Sequence, residues 1–261
     1  MPSVVMAPVS SAAPPKSSAA ALAPAPCRVL QVTGRARAGD GAELVALGGL
    51  DGKSWLELEA NTKLSVRHGA TAREFALVGP GRFLACRSGL EQVLIAEGGF
   101  ESSPGAGVRP GAEMWVATPF AALRYADGSA AIRADRGATH VRVSSGRITV
   151  ESTGENSRSL TLSAPSEKHW PSAVAPAARL KTCETAAGAA KTSADAVLSA
   201  ANTELGKLAA AQLASRRRAR AECLIAEAAI ERVRDPGEKA RLRDQLERAN
   251  RAWQGVPAML R

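Results

Sequence analysis

Two hydrophobic periodicities divide this chain of 261 residues. In residues 27–152, short segments alternate apolar and polar residues, as in Leu64-Ser65-Val66. A period of two residues is typical of half-buried β-strands. From residue 176 onward the sequence is rich in Ala and Arg and predicts helix. The chain therefore predicts a mainly β domain, either a sandwich or a short β-solenoid of many short strands, followed by an α-helical hairpin and a third helix.

Gly and Pro mark the turns between the predicted strands. Gly adopts positive φ angles without steric cost, and Pro fixes its own φ, so both residues favour chain reversal. The segments that predict turns in this way include Asp51-Gly52, Asp127-Gly128, Ser145-Gly146 and Gly79-Pro80-Gly81-Arg82.

The helical region contains one sharp start signal, Asp235-Pro236-Gly237-Glu238. Asp at the N-cap, Pro at the first helical position and Glu at the third predict a new helix. We expect helices at about residues 176–202, 204–234 and 236–253. The face of the third helix combines Leu242, Leu246, Ala249 and Trp253 at helical spacing. Of these, Trp253 is a candidate for docking the helices to the β domain.

The remaining segments are expected to be connections. Residues 1–26 consist mostly of Ala, Pro and Ser and predict a disordered leader. This leader lacks the basic and apolar regions of a secretory signal, so either the true start lies upstream or the protein is cytoplasmic. No stretch approaches the roughly 18–20 apolar residues that span a bilayer. Residues 153–175 are polar and contain Pro, and predict a linker that leaves room for one last strand at Ser159–Leu162.

The four cysteines, Cys27, Cys86, Cys183 and Cys223, lack the spacing of a zinc site. Two lie in the β region and two in the helical region, which favours the pairs Cys27–Cys86 and Cys183–Cys223. In a helical hairpin that turns near residue 203, the second pair would face each other. Two disulfides imply an oxidising compartment and hence export. The alternative is four buried free thiols in a cytosolic protein.

Positive charge is concentrated in the helical region. The chain carries a formal net charge of +9. Residues 27–152 hold 15 basic and 13 acidic residues, whereas residues 176–261 hold 16 and 10. Such a bias indicates attraction to an anionic partner, namely a phospholipid surface, an acidic cell-wall polymer or nucleic acid. The alternative is a solvated helical face that is rich in Arg. The densest cluster, and the candidate site for an anionic partner, is Arg216, Arg217, Arg218 and Arg220. No aromatic residue for base stacking lies near it, so nucleic acid is the less favoured partner.

The sequence contains no pattern that predicts catalysis. The three histidines are His68, His140 and His169, and none stands at a recognisable spacing from a nucleophile and an orienting acid. The chain has no nucleophile-elbow, phosphate-loop or dinucleotide-binding motif. We therefore expect no enzyme, no cofactor and no metal site.

Residues 28–152 resemble the FecR domain, the extracytoplasmic module of bacterial transmembrane regulators of iron uptake. The most specific segments are VATPFAALRYADG and THVRVSSGRITVES, which are similar to the family's Thr-Pro strand and its closing pair of strands. SWLELEANTKLSVRHG is similar to an earlier pair. Where the family continues with Gly-Thr-x-Phe, this chain reads YADGSAAI. The resemblance implies an extracytoplasmic β domain used for binding or scaffolding, without the family's regulation of sigma factors.

The sequence as a whole predicts a non-catalytic binding or scaffolding protein of the bacterial cell envelope, either periplasmic or envelope-associated. Its expected partner is an envelope protein or an anionic surface. The alternative is a cytoplasmic regulator that contacts nucleic acid through the cluster Arg216–Arg220.

Overall fold

A computed structural model describes residues 26–87, 91–102, 112–153, 159–171, 175–199 and 205–254. The predicted leader before residue 26 and residue 203, near which the helical hairpin is predicted to turn, lie outside the described residues. The described strands are β1 Cys27–Thr33, β2 Ala36–Ala38, β3 Gly49–Leu50, β4 Leu56–Leu58, β5 Lys63–His68, β6 Glu74–Ala85, β7 Gln92–Ser102, β8 Met114–Ala117, β9 Ala122–Tyr125, β10 Gly128–Ala134, β11 Ala138–Ser152, β12 Leu160–Ser163 and β13 Ser166–Pro171. The helices are α1 Pro176–Ser199, α2 Leu205–Glu231 and α3 Pro236–Gln254. A mainly β domain followed by a helical hairpin and a third helix is thereby confirmed.

The strands form one branched sheet that closes on itself. One side of β7 pairs with β6, and the other side pairs first with β8 in parallel and then with β10 in antiparallel orientation. From β8 the pairing continues through β9 and β11 back to β10, which completes a ring. β6 also pairs with β4 and β5, and β1, β2 and β3 extend those branches. The pairing is antiparallel at every described interface except β7–β8, unlike the parallel stacking of a β-helix.

The two longest apolar runs are buried on both faces of the sheet. In β6 and β7, Phe83, Val93 and Ile95 contribute to the main core inside the sheet. Their neighbours Leu84 and Leu94 lie on the opposite face and contact the helices. A strand that is covered on both sides reads as a continuous apolar run, and QVLIA at the start of β7 follows that rule.

Two of the predicted turns are wrong, because they lie inside long strands. Gly79-Pro80-Gly81-Arg82 belongs to β6, where the register with β7 shifts between Val78 and Arg82. A side chain at Gly79 would collide with the carbonyl oxygen of Glu59, so glycine is required by a close backbone approach at a β-bulge. Ser145-Gly146 likewise lies within β11, opposite a register shift in β10.

The last strand predicted at Ser159–Leu162 is present as β12, whereas the predicted linker is wrong for residues 166–171, which form β13. Both strands pair with β11, β12 with its C-terminal half and β13 with its N-terminal half. Leu162 and the partly buried Trp170 pack against the main core. The stretch lacks a long apolar alternation because a strand at the sheet edge buries few side chains.

The helices begin and end close to the predicted positions. Asp235 caps α3, since its Oδ1 accepts the backbone N–H of Glu238 at 2.6 Å and its carbonyl accepts that of Lys239 at 3.0 Å. The buried face of α3 packs between α1 and α2 against the Cys183–Cys223 pair. Trp253 also packs within the helical clusters. The predicted docking of helices to the β domain is made instead by α2.

Helix α2 joins the two parts of the molecule. Its residues Ala221, Leu224 and Ile225 form one apolar cluster with side chains from the outer face of the sheet. The sheet side of that cluster consists of Leu84, Leu94, Trp115, Ala117 and Ala122. Ion pairs connect the same elements, Arg87 with Glu227 and Arg82 with Glu231. The helical region and the β domain therefore pack as one body along α2.

Candidate functional site

Both parts of the molecule contain a disulfide, and every cysteine is used. Cys27 at the start of β1 pairs with Cys86 after β6, with their Cα atoms 6.0 Å apart. Cys183 of α1 pairs with Cys223 of α2, with their Cα atoms 4.6 Å apart. These are the two pairs that the distribution of the cysteines favours in the sequence. Each disulfide closes a loop within its own part, so the contact between the parts is non-covalent.

The four arginines of the predicted anionic-partner site do not share one surface. Arg218 is exposed, and Arg216 and Arg217 are half-buried. Arg220 faces the sheet, where its guanidinium lies 4.4 Å from the centre of the Trp115 ring. It also donates a hydrogen bond to Gln92 Oε1 at 3.2 Å. The structure thus places Arg220 on a different side of α2 from the exposed Arg218, because a step of two residues turns a side chain by about 200° around the helix.

Two arginines of the predicted site, Arg217 and Arg218, line a cleft at the surface. Arg217 and Arg218 line a space of about 410 Å³ between α2 and the sheet, opposite Arg124, Glu151 and Ser159. We call this space the basic cleft. Within the described residues, no ion pair involves the guanidinium of Arg217 or of Arg218. Two guanidinium groups that lack carboxylate partners can bind phosphate or carboxylate groups through paired N–H donors.

On the opposite wall of the basic cleft, the single guanidinium of Arg124 is shared by two carboxylates. Arg124 Nε lies 2.6 Å from Glu151, and its Nη1 lies 2.5 Å from Glu113. Burial alone would lower the pKa of Arg124, but the hydrogen bonds and charges of the two glutamates raise it above its ordinary value. The sequence does not reveal this wall, because its residues come from strands that are far apart along the chain.

The histidines take part in structural contacts. His68 is buried, and its Nδ1 lies 3.0 Å from Thr71 Oγ1, which in turn hydrogen-bonds to Glu91. Glu91 also pairs with the buried Arg73 at 3.2 Å. This polar network lies at the turn between β5 and β6 and has no signature in the sequence. Across β11 and β13, His140 stacks on His169 with ring centres 4.8 Å apart.

The described part of the chain contains no group of three or more His, Cys, Asp or Glu side chains arranged to hold a metal ion. Among the same residues, no helix is both long enough and apolar enough to cross a membrane.

Comparison with protein-family models finds no match, and neither does comparison with curated proteins. One solved structure that the chain resembles is described as a putative anti-sigma factor from Parabacteroides distasonis ATCC 8503. The two share 12% sequence identity at a TM-score of 0.33, over 49% of this chain. The match spans 64% of the other chain, which is less than two thirds of its length. At this level of similarity the likeness carries no argument about function.

Proposed function

We propose that this chain is a non-catalytic binding or scaffolding protein of the bacterial cell envelope, located outside the cytoplasm and built on a FecR-like β domain. The observation that carries the proposal is the pair of disulfides, one in each part of the molecule. Cytosolic reductants keep thiols reduced, so stable structural disulfides belong mainly to exported proteins. A chain whose four cysteines are all paired fits such a compartment.

The proposed mode of action is recognition by a rigid platform. The sheet and helices pack together along α2, and the basic cleft opens beside that contact. Arg217 and Arg218 offer positive charge without carboxylate partners among the described residues. This arrangement suits an anionic group, either on an envelope protein or on the envelope surface.

The absence of catalysis belongs to the same proposal. Catalysis by histidine needs a side chain that can reach both a substrate and a proton acceptor or nucleophile. Here His68 is buried in the network with Thr71 and Glu91, and His140 is held between Asp135 and His169.

The location is tested by the redox state of the cysteines in the native host. Cells are treated with a thiol-blocking reagent before lysis, and the intact mass of the purified chain is measured with and without reduction. An unlabelled chain that takes up four blocking groups only after reduction supports export. Four groups bound before reduction would place the chain in a reducing compartment, and salt-dependent DNA binding would then favour the cytoplasmic regulator.

The basic cleft is tested by co-sedimentation with vesicles of phosphatidylglycerol and phosphatidylcholine. Replacing Arg217 and Arg218 by Gln should weaken binding to anionic vesicles by about 2 kcal/mol, or roughly thirtyfold, because each basic residue contributes about 1 kcal/mol at such a surface. The matched control replaces Arg248 and Arg251 of α3 by Gln. This variant loses the same amount of charge elsewhere on the molecule, and each of the two arginines pairs with an acid on its own helix. Equal loss in both double variants would show that net charge, and not the cleft, attracts the surface.

A further inference from the structure

A second polar cleft lies where α2 and α3 meet the sheet. It has a volume of about 310 Å³, and we call it the junction cleft. Six of the residues that line it carry the inference: Arg87, Gln92, Arg220, Glu227, Asn250 and Trp253. None of its lining residues belongs to the basic cleft. It is therefore a separate site from the one proposed for the envelope surface.

The acidic side chains of the junction cleft already have basic partners. Glu227 pairs with Arg87, and Glu247 at the rim lies 3.7 Å from Arg251. Arg220 has no carboxylate within ion-pair distance among the described residues, although Glu113 raises its pKa from farther away. One positive charge at the wall of the cleft thus has no carboxylate in direct contact among the described residues.

The guanidinium of Arg220 is fixed in position by neutral groups. It lies 4.4 Å from the centre of the buried Trp115 ring and donates to Gln92 Oε1. Arg220 is half-buried, and this burial lowers its pKa to about 10, while the more distant charge of Glu113 acts in the opposite direction. A buried charge is costly unless it is paired, so an anion at this position would be stabilised.

The side-chain oxygens of Gln92 and Asn250 accept hydrogen bonds, while their NH₂ groups donate none to described residues. Gln92 is only 4% exposed, and its oxygen accepts from Arg220. The oxygen of Asn250 accepts from the indole Nε1 of Trp253 at 3.1 Å. Each amide nitrogen therefore lacks an acceptor among the described residues. A guanidinium and two amide NH₂ groups lining one cleft form a set of donors that lacks an acceptor.

We propose that the junction cleft binds a carboxylate, with Arg220 as its charged anchor and the amides of Gln92 and Asn250 as further donors. Carboxylates match this set because they accept several hydrogen bonds and carry the compensating charge. Leu224 and Trp253 supply an apolar wall beside the donors. The volume lies at the small end of ligand sites, about 300 Å³, so it admits a side chain or a small acid and not a larger ligand.

The carboxylate has two possible sources, an acidic side chain of a protein and a small free dicarboxylic acid. Isothermal titration calorimetry on the full chain, with its disulfides intact, distinguishes them. The probes are a blocked Gly-Asp-Gly peptide, the same peptide with Asn, and succinate, each at constant ionic strength. We expect the Asp peptide to bind and the Asn peptide not to bind. Binding of succinate in addition would assign the site to small acids as well.

The variants test whether the contact is made by Arg220. Replacing Arg220 by Gln should weaken binding of the Asp peptide roughly tenfold or more, because a charge-assisted hydrogen bond is lost. Replacing Arg241 by Gln, at an exposed position of α3 outside the cleft, removes the same charge and should leave binding unchanged. If the Arg220→Gln variant does not fold, Gln92→Leu removes a donor and should weaken binding in the same direction. Absence of binding to every carboxylate, or equal binding by Arg220→Gln and the unaltered chain, would overturn the proposal.

Discussion

At the scale of single residues, the carboxylate of Glu231 at the end of α2 forms more ion pairs than any other among the described residues. Its side chain is 1% exposed, forms an ion pair with Arg82 of the sheet at 2.8 Å, and accepts hydrogen bonds from Lys239 at 3.3 Å and from Arg243. The three cations come from β6 and α3, so one buried acid connects three elements. Removing one partner of a buried ion pair leaves the remaining charges without compensation.

We expect Glu231→Gln to lower the free energy of unfolding by about 3 kcal/mol, since the substitution keeps the shape and removes the charge. Urea denaturation followed by circular dichroism measures the change. The control is Glu247→Gln on α3, whose side chain is 69% exposed and whose ion pair with Arg251 lies at the surface. That variant should differ by less than about 1 kcal/mol. Equal effects in the two variants would show that Glu231 does not hold the elements together.

A second prediction at this scale concerns Asp135, in the turn between β10 and β11. The backbone N–H of Gly137 donates to its carboxylate at 3.0 Å, and that of Ala138 at 2.9 Å. These bonds, together with His140, hold the pKa of Asp135 below its ordinary value despite some burial. Because the folded pKa lies below the unfolded one, the carboxylate stabilises the fold above the unfolded pKa of about 3.9. That contribution is lost as the pH falls through the folded pKa.

The measurement is the free energy of unfolding of Asp135→Asn and of the unaltered chain between pH 5 and pH 2. The free energies of unfolding of the two proteins should differ at pH 5 and converge toward pH 2. The difference at pH 5 should be small, because the side chain of Asp135 is 46% exposed. Asp127→Asn, in the turn before β10, serves as the control, since no hydrogen bond to its carboxylate is present among the described residues. A difference for Asp135→Asn that stays constant with pH would contradict the prediction.

At the scale of elements, the docking of α2 depends on a small apolar cluster. Ile225 is fully buried there between Leu84, Leu94 and Trp115. Removing a buried side chain of this size costs about 2–5 kcal/mol, through lost transfer energy and the cavity that remains. We expect Ile225→Ala to destabilise the protein within that range in urea denaturation. Leu213→Ala, on the same helix but 46% exposed, should change stability by about 0.5 kcal/mol or less. Similar losses for both would mean that α2 contributes no core.

The elements also show what a sequence can reveal. The start of α3 could be predicted because Asp235 and Glu238 act within one helical turn. The turns at Gly79 and Ser145 could not be recognised as strand interiors, because the pairing of β6 and β11 depends on residues far along the chain. For the same reason, the sequence reveals the cluster Arg216–Arg220 but not that Arg220 faces the sheet while Arg218 is exposed. The direction of Arg220 depends on how α2 rotates against Trp115.

At the scale of the whole molecule, two covalent loops are joined by one non-covalent contact. The disulfides close separations of 59 and 40 residues, one within the β domain and one between α1 and α2. In the chain-entropy account, loops of these lengths each stabilise the fold by about 4 kcal/mol. The apolar cluster on α2 and the ion pair of Arg87 with Glu227 couple the two loops. Loss of either disulfide should therefore lower the stability of both the β domain and the helical part.

Two double variants test this coupling, Cys27→Ser with Cys86→Ser and Cys183→Ser with Cys223→Ser. We expect each to lower the free energy of unfolding by about 4 kcal/mol and to keep a single transition. Far-ultraviolet circular dichroism follows the helices. Replacing Trp55, Trp170 and Trp253 by Phe in every variant leaves Trp115 as the single tryptophan, and its fluorescence then follows the contact between helices and sheet. The two signals should coincide in both variants, because α2 cannot unfold without exposing the outer face of β6 and β7. Helix melting ahead of the fluorescence change in the second variant would mean that the helical part unfolds on its own, and that the two parts act as separate modules and not as one platform.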